Sequence, residues 1–365
     1  MNEKTGFILF LSMFLLVFGS MHLYVFGKFS SIFNIERNLV YYIIIVILVS
    51  SYILSTLLYS RKNNFLTQYL YIFSAVWFGL ILLLFFLILL LDMIALLSPI
   101  NIIVSAYIVL FITIVLSVYA VWNASSMVTK VISLESEKIN TRIVFVQVSD
   151  VHLGAIYGIN KIKKIVSKIN AINPAAVFIT GDLIDGKNKH DASQFLIFNK
   201  IRCNTFFVIG NHERYAGIEF MNELFKNVNI TILKNNIASL GKKSNIKIIG
   251  IDDSDDRKQV ANYIARLSIN KSTYNILLYH RPDGFHDAVN HNVDLMLAGH
   301  THAGQIFPYS LLARFFYSHY YGLKQYKNAY LYVSSGAGTW GPPFRLGSRT
   351  EIVKIVINPK TMKNN

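Results

Sequence analysis

Seven side chains able to bind a divalent metal recur along the second two-thirds of this chain: Asp150 and His152, Asp182, Asn211, His280, then His300 and His302. Carboxylate, imidazole and amide oxygen together make a borderline donor set, better suited to Mn, Fe or Zn than to Mg or Ca. Asp182 stands centrally in the series, so its carboxylate is the candidate to bridge two ions about 3.5–4 Å apart. Two such ions would clamp a phosphate and acidify a bridging water, which gives hydrolysis without a Ser or Cys nucleophile. His212, beside Asn211, is the candidate general acid for a leaving alkoxide. Glu213 either orients that imidazole or is an ordinary carboxylate at a helix N-terminus.

Short apolar runs must deliver these residues. Ile143-Val144-Phe145-Val146-Gln147-Val148 reads as a buried strand leading to Asp150 and His152. Ala176-Val177-Phe178-Ile179 leads to Gly181-Asp182, Phe206-Phe207-Val208-Ile209 to Gly210-Asn211-His212, Asn275 to Tyr279 to His280, and Asp294 to Ala298 to Gly299-His300. Every cluster therefore falls on a loop at the carboxyl end of a strand, where α/β folds place their ligands. Glycines 210 and 299 free the backbone for tight turns there. Asn160 reads as the cap of an amphipathic helix with Ile162, Ile165, Val166 and Ile169 inward and Lys161, Lys163, Lys164 and Lys168 outward, ended by Pro174. A second helix is expected near 191–200. Asp252, Asp253, Asp255 and Asp256 either support the site or, as the default reading, cap a helix over 257–268, while His190, His286, His291 and His319 read as surface or capping residues.

The first third of the chain has a different composition. Of the +15 net charge only +2 belongs to residues 1–123, from five Lys/Arg against three acids, which leaves +13 to the remainder. Apolar stretches at roughly 6–27, 39–59, 69–91 and 100–122 each approach the roughly 20 residues needed to cross a hydrocarbon core. They read as four transmembrane helices, with aromatic residues near their ends. A short re-entry loop is expected after the third, at Asp92 and Ser98-Pro99, and His22 and Asp92 are read as a buried hydrogen bond and a capped helix end. A secretory signal is disfavoured, since no small-residue cleavage site follows the first apolar run. Residues 124–141 read as a juxtamembrane connector, 142–358 as the globular domain and 359–365 as a polar tail. With both termini inside, Lys4, Arg61, Lys62, Lys130, Lys138 and Arg142 face Lys28 and Arg37, so a multi-pass protein of the cell membrane with a cytoplasmic catalytic domain is expected. The single cysteine, Cys203, excludes an internal disulfide.

These motifs, Asp150-Val151-His152, Gly181-Asp182, Gly210-Asn211-His212-Glu213, His280 and Gly299-His300-Thr301-His302, resemble those of the calcineurin-like metallophosphoesterase superfamily. The resemblance covers about 142–358. It implies a four-layer α/β sandwich, two sheets flanked by helices, behind the N-terminal helical bundle. It also implies one metal on Asp150, His152, Asp182 and His302, a second on Asp182, Asn211, His280 and His300, and His212 as the acid. The segments 299–308 and 338–347 are similar to the membrane-associated bacterial branch of that superfamily. Ala303 replaces the usual Gly and Arg281 intervenes between His280 and Pro282; Arg281 either reaches a substrate phosphate or is solvated, and Arg345 is the stronger phosphate-contact candidate.

The expectation is a binuclear phosphoesterase acting on a phosphomonoester or phosphodiester, with a phosphorylated small molecule or a lipid or lipid-linked substrate favoured by the membrane anchor. The charge of +13 would also attract nucleic acid, but no basic groove interleaved with aromatics supports a nuclease. A catalytically silent scaffold or sensor is the third class, and retention of all seven ligand types argues against it. No obligate protein partner is evident.

Overall fold

The structure, a computed structural model, describes residues 3–186, 192–241 and 244–360. The chain divides into two compact units, one of residues 1–122 with 341–344, the other of 123–340 with 345–365.

The first unit is built on helices α1 (Glu3–Ile32), α2 (Leu39–Arg61), α3 (Phe65–Leu97) and α4 (Ile102–Ser125), whose last three residues belong to the second unit. Uninterrupted Leu, Ile, Phe and Val runs favour helix because no water competes for the backbone in hydrocarbon, and all four are long and apolar enough to cross a membrane. Asn38 caps α2 by accepting from the Tyr41 N–H, and Asn64 forms a capping box with Thr67 at the start of α3. The expected re-entry loop is absent, because α3 continues through Asp92 to Leu97. Lys28 pairs with the Asp92 carboxylate and the Tyr24 hydroxyl donates to it, so the charge does not end the helix. His22 is buried as expected, with Trp77 Nε1 donating to its Nε2 at 2.9 Å. The 341–344 segment belongs here through Phe344, whose ring lies so close over Gly79 that a Cβ there would come within 2.7 Å of it.

The second unit contains two six-stranded sheets. In chain order the strands are β1 (Val128–Ser136), β2 (Ile143–Val148), β3 (Ala176–Thr180), β4 (Asn204–Val208), β5 (Thr231–Ile232), β6 (Asn236–Ser239), β7 (Ile246–Gly250), β8 (Tyr274–Leu278), β9 (Leu295–Ala298), β10 (Gly322–Tyr326), β11 (Ala329–Val333) and β12 (Glu351–Pro359). One sheet runs β1-β12-β2-β3-β4-β5 and the other β10-β11-β9-β8-β7-β6. Alternation along each strand explains why the central runs are apolar throughout. Phe145, Phe178 and Phe206 point into the layer shared with Ile276, Leu278, Leu295 and Leu297 of the second sheet. Their neighbours Val146, Val177 and Phe207 point outward against α5 (Ile159–Ile172), a 3-10 helix (Ala192–Lys200), α6 (Asn211–Ala216) and α7 (Ile218–Phe225). On the far side Leu277 and Met296 meet α8 (Gln259–Ile264) and α9 (Phe285–Asn290). The result is the four-layer sandwich expected.

Three boundaries depart from expectation. The connector proposed at 124–141 contains β1, paired in parallel with β12 from Val128 to Ser136; only its inner residues Ile132 and Leu134 are buried, so its exposed face reads as polar linker. Helix α5 begins after Gly158, not Asn160, and no side chain caps it; it ends on Asn173 in the left-handed region. Lys161, expected outward, is buried. The helix expected over 257–268 is only the short α8, and His190 and residues 361–365 of the tail lie outside the described residues.

Candidate metal centre

Strands β2, β3 and β4 are parallel neighbours in one sheet and β8 and β9 in the other, so the loops leaving their carboxyl ends share one edge of the sandwich. Backbone bonds tie those loops together: the Asp150 N–H donates to Gly181 O at 3.1 Å, His152 to Asp182 O at 3.1 Å, and Gly299 to His280 O at 2.8 Å. Asp150, His152, Asp182, His300 and His302 all adopt φ between 50° and 71°. That left-handed backbone costs of order 1–3 kcal/mol per non-glycine residue and survives only where its surroundings enforce it. The glycine of Gly299-His300 is required by crowding and not by a left-handed backbone, since a Cβ there would lie 2.0 Å from Ser149 Oγ and 2.2 Å from an Asp150 oxygen.

Among the described residues the side chains gather into three metal-competent groups, and two of them are made wholly of predicted ligands: Asp150 with His152 and His302, and Asp182 with His280 and His300; the third joins His152 to Asp185 and His212. In the first, His152 Nε2 lies 3.0 Å from His302 Nε2, which is 3.6 Å from Asp150 Oδ1. In the second, His280 Nε2 is 3.1 Å from Asp182 Oδ2, 3.1 Å from Asn211 Oδ1 and 3.2 Å from His300 Nδ1. Asp182 Oδ2 is also 3.8 Å from His152 Nε2, so one carboxylate faces both groups. Lone-pair atoms converging at hydrogen-bond distance, with too few protons among them, fit a pair of cations. His280 Nδ1 lies 2.8 Å from the Thr180 carbonyl, an outer bond that leaves Nε2 for a metal. Burial, His152 and Arg345 together hold His302 well below the ordinary histidine range, in the neutral form a ligand needs. Burial would raise the Asp182 carboxyl, but His280 and His212 overcome it and keep it ionised.

His212 lies at the rim of this centre, its Nδ1 3.1 Å from Asp185 Oδ1. Burial alone would lower its pKa, yet Asp182 and then Asp185 push it up to about 9. Glu213 does not orient this ring: its carboxylate accepts from the N–H groups of Asp182, Ile184 and Gly210 at 2.8–3.0 Å, bracing two ligand loops. The partner of His212 is thus Asp185, which the sequence reading missed. Its only signal is an acid three places after Asp182 in the same strand-end loop.

Neither arginine is placed as a substrate contact. Arg345 is fully buried, Nη1 donating to His302 O at 2.6 Å and Nη2 to Ser335 O at 2.5 Å and Gly338 O at 2.7 Å. Arg281 bonds Asp253 at 2.7 Å and Asp255 at 2.8 Å, and Arg214 pairs with the same two acids. Asp253 and Asp255 therefore hold arginines instead of capping a helix, while Asp256 accepts from the Lys258 N–H ahead of α8. Ala303, at φ 52°, occupies a left-handed position, so its cost is conformational and not one of size. His286, His291 and His319 bond or pack locally, away from the centre.

A family model described as calcineurin-like phosphoesterase matches residues 143–304. An uncharacterized metallophosphoesterase of Helicobacter pylori is 36% identical over 233 residues, 61% of this chain and 62% of the relative. One of Campylobacter jejuni is 31% identical over 378 residues, 97% of this chain and 99% of the relative. A Danio rerio transmembrane protein with metallophosphoesterase domain is 35% identical over 272 residues, 68% of this chain and 61% of the relative. The chain thus spans less than two thirds of the Helicobacter and Danio relatives it matches.

Proposed function

Because this chain belongs to the calcineurin-like metallophosphoesterase family, we propose that it is a membrane-anchored hydrolase of phosphate esters dependent on two divalent ions, Mn, Fe or Zn. Asp150, His152, Asp182 and His302 would hold one ion and Asp182, Asn211, His280 and His300 the other. The observation that carries this reading is the Asp182 carboxylate, which faces a histidine nitrogen from each group. When bound, two such ions supply Lewis-acid charge and a nucleophilic water near neutral pH. The chain's own contribution is proton delivery and orientation. His212 keeps a proton through Asp182 and Asp185, with Nδ1 turned to Asp185 so that Nε2 is free to protonate the departing oxygen. Glu213 and Arg345 fix the backbone that aims the ligands.

The four apolar helices favour a substrate at a membrane surface, a phosphorylated lipid or lipid-linked molecule, and the excess of Lys and Arg on one side favours the cytoplasmic face. The full chain in detergent should hydrolyse chromogenic phosphodiesters or phosphomonoesters when Mn is supplied; total inactivity with two metals bound would favour the silent scaffold. His212→Ala should retain both metals and lose roughly 10²–10⁴ in turnover on poor leaving groups, and less on nitrophenyl esters. Equal losses on both would rule out the general acid.

A further inference from the structure

Helix α5 carries a lysine that its own pattern places in water and its packing does not. Lys161 is only 8% exposed. Its ammonium lies 4.7 Å from the centre of the Tyr157 ring, and among the described residues no carboxylate or hydrogen-bond acceptor meets it. A largely buried lysine without a counter-charge is costly, and the cation–π contact offsets only part of that. Burial, then Arg345 and Lys164, push its pKa down to about 7. All three of these influences oppose its charge, and none favours it.

Lys161 and Tyr157 line a hollow of about 340 Å³ with Asn160, Lys164, Ser125 and Met127, and its wall contains no acidic side chain. The amino end of α5, a 14-residue helix that no side chain caps, opens on the same hollow through Gly158 and Ile159. The uncapped start of α5, where among the described residues only the Lys161 N–H is bonded back to Gly158 O, a largely buried lysine and a second lysine one turn on all attract one anion. A phosphate monoester has the charge and acceptor count to meet them together. Ser125 is the last residue of α4, so a ligand seated here lies where the chain leaves its fourth apolar helix.

We propose that this hollow is a binding site for a phosphate group, separate from the metal centre, in which Lys161, Lys164 and the first turn of α5 hold the phosphate oxygens. This inference stands whether or not the metal centre is hydrolytic.

The test uses the full chain in nonionic detergent, with chelator present so that the metal centre does not hold phosphate. Native mass spectrometry should show phosphatidic acid retained over phosphatidylcholine, at least about tenfold more by the wild type than by K161Q/K164Q, the equivalent of one charge-assisted hydrogen bond. Displacement by millimolar inorganic phosphate would assign the site to a phosphate group from either source; lipid retention unaffected by phosphate would assign it to a headgroup. Binding of inorganic phosphate without retention of the lipid would assign it to a soluble phosphate. As a second reading on the unmutated protein, acylation of Lys161 by an N-hydroxysuccinimide ester, mapped by peptide mass, should slow at least several-fold with the bound species present. Equal retention by wild type and double variant, or an unchanged acylation rate at Lys161, would overturn the proposal.

Discussion

Arg345→Lys separates the role expected from sequence from the one the packing assigns. Arg345 is fully buried, and its two terminal nitrogens reach the carbonyls of His302, Ser335 and Gly338 at 2.5–2.7 Å. A lysine carries the charge but replaces a planar fork by a single point donor, so it cannot span the His302 loop and the 335–338 turn together. One or two carbonyls are then left buried without a donor at about 1–3 kcal/mol each, giving a destabilisation of about 2–4 kcal/mol. Because the lost bond holds the residue whose imidazole belongs to the Asp150 group, metal affinity in that group should fall roughly 10- to 100-fold. The other group should change far less. Equilibrium dialysis with elemental analysis reads the two occupancies, and thermal unfolding at saturating metal reads the stability. If Arg345 instead grips the substrate phosphate, metal content and unfolding temperature will stay at wild-type values while KM rises, and the positioning argument fails.

Asp182→Asn should empty both groups together, since its carboxylate faces a nitrogen from each; two metals bound at wild-type affinity would remove its bridging role. Asp185→Asn tests the proton on His212. Raised to about 9 by Asp182 and Asp185, His212 is protonated below that value and loses its proton as pH rises through it. Hydrolysis of esters with poor leaving groups should therefore fall on an alkaline limb, and removing Asp185 should move that limb to lower pH; a limb that does not move would exclude the pair. A cysteine added within 360–365 should resist a membrane-impermeant maleimide in intact cells and react after lysis, whereas labelling before lysis would reverse the orientation.

What could be read from the sequence is what depends on local pattern. A run buried on both faces announces itself by being apolar throughout, as in Val177-Phe178-Ile179, and the residue types needed for metal chemistry follow such runs directly. What escaped depends on contacts between distant segments. Strand β1 exposes most of its side chains and owes its existence to β12, more than two hundred residues away. Asp185 is an unremarkable loop acid until His212 arrives beside it from another strand end. Arg345 carries the charge of a phosphate contact, and only its burial among carbonyls assigns it to structure. Lys161 fits the polar stripe of α5 by spacing, yet the segment around Tyr157 covers it.

The order of strands in the first sheet also sets when the domain can form during synthesis. β12, the last in chain order of the described strands, sits between β1 and β2, the first two of them. At about 5–20 residues per second, β1 emerges roughly 10–40 s before the strand that completes its pairing. Until then β1 and β2 stand as open edges just after the last apolar helix, able to pair with other chains. A stop codon at Glu351 would remove an interior strand and not merely a tail, and leave that exposure permanent.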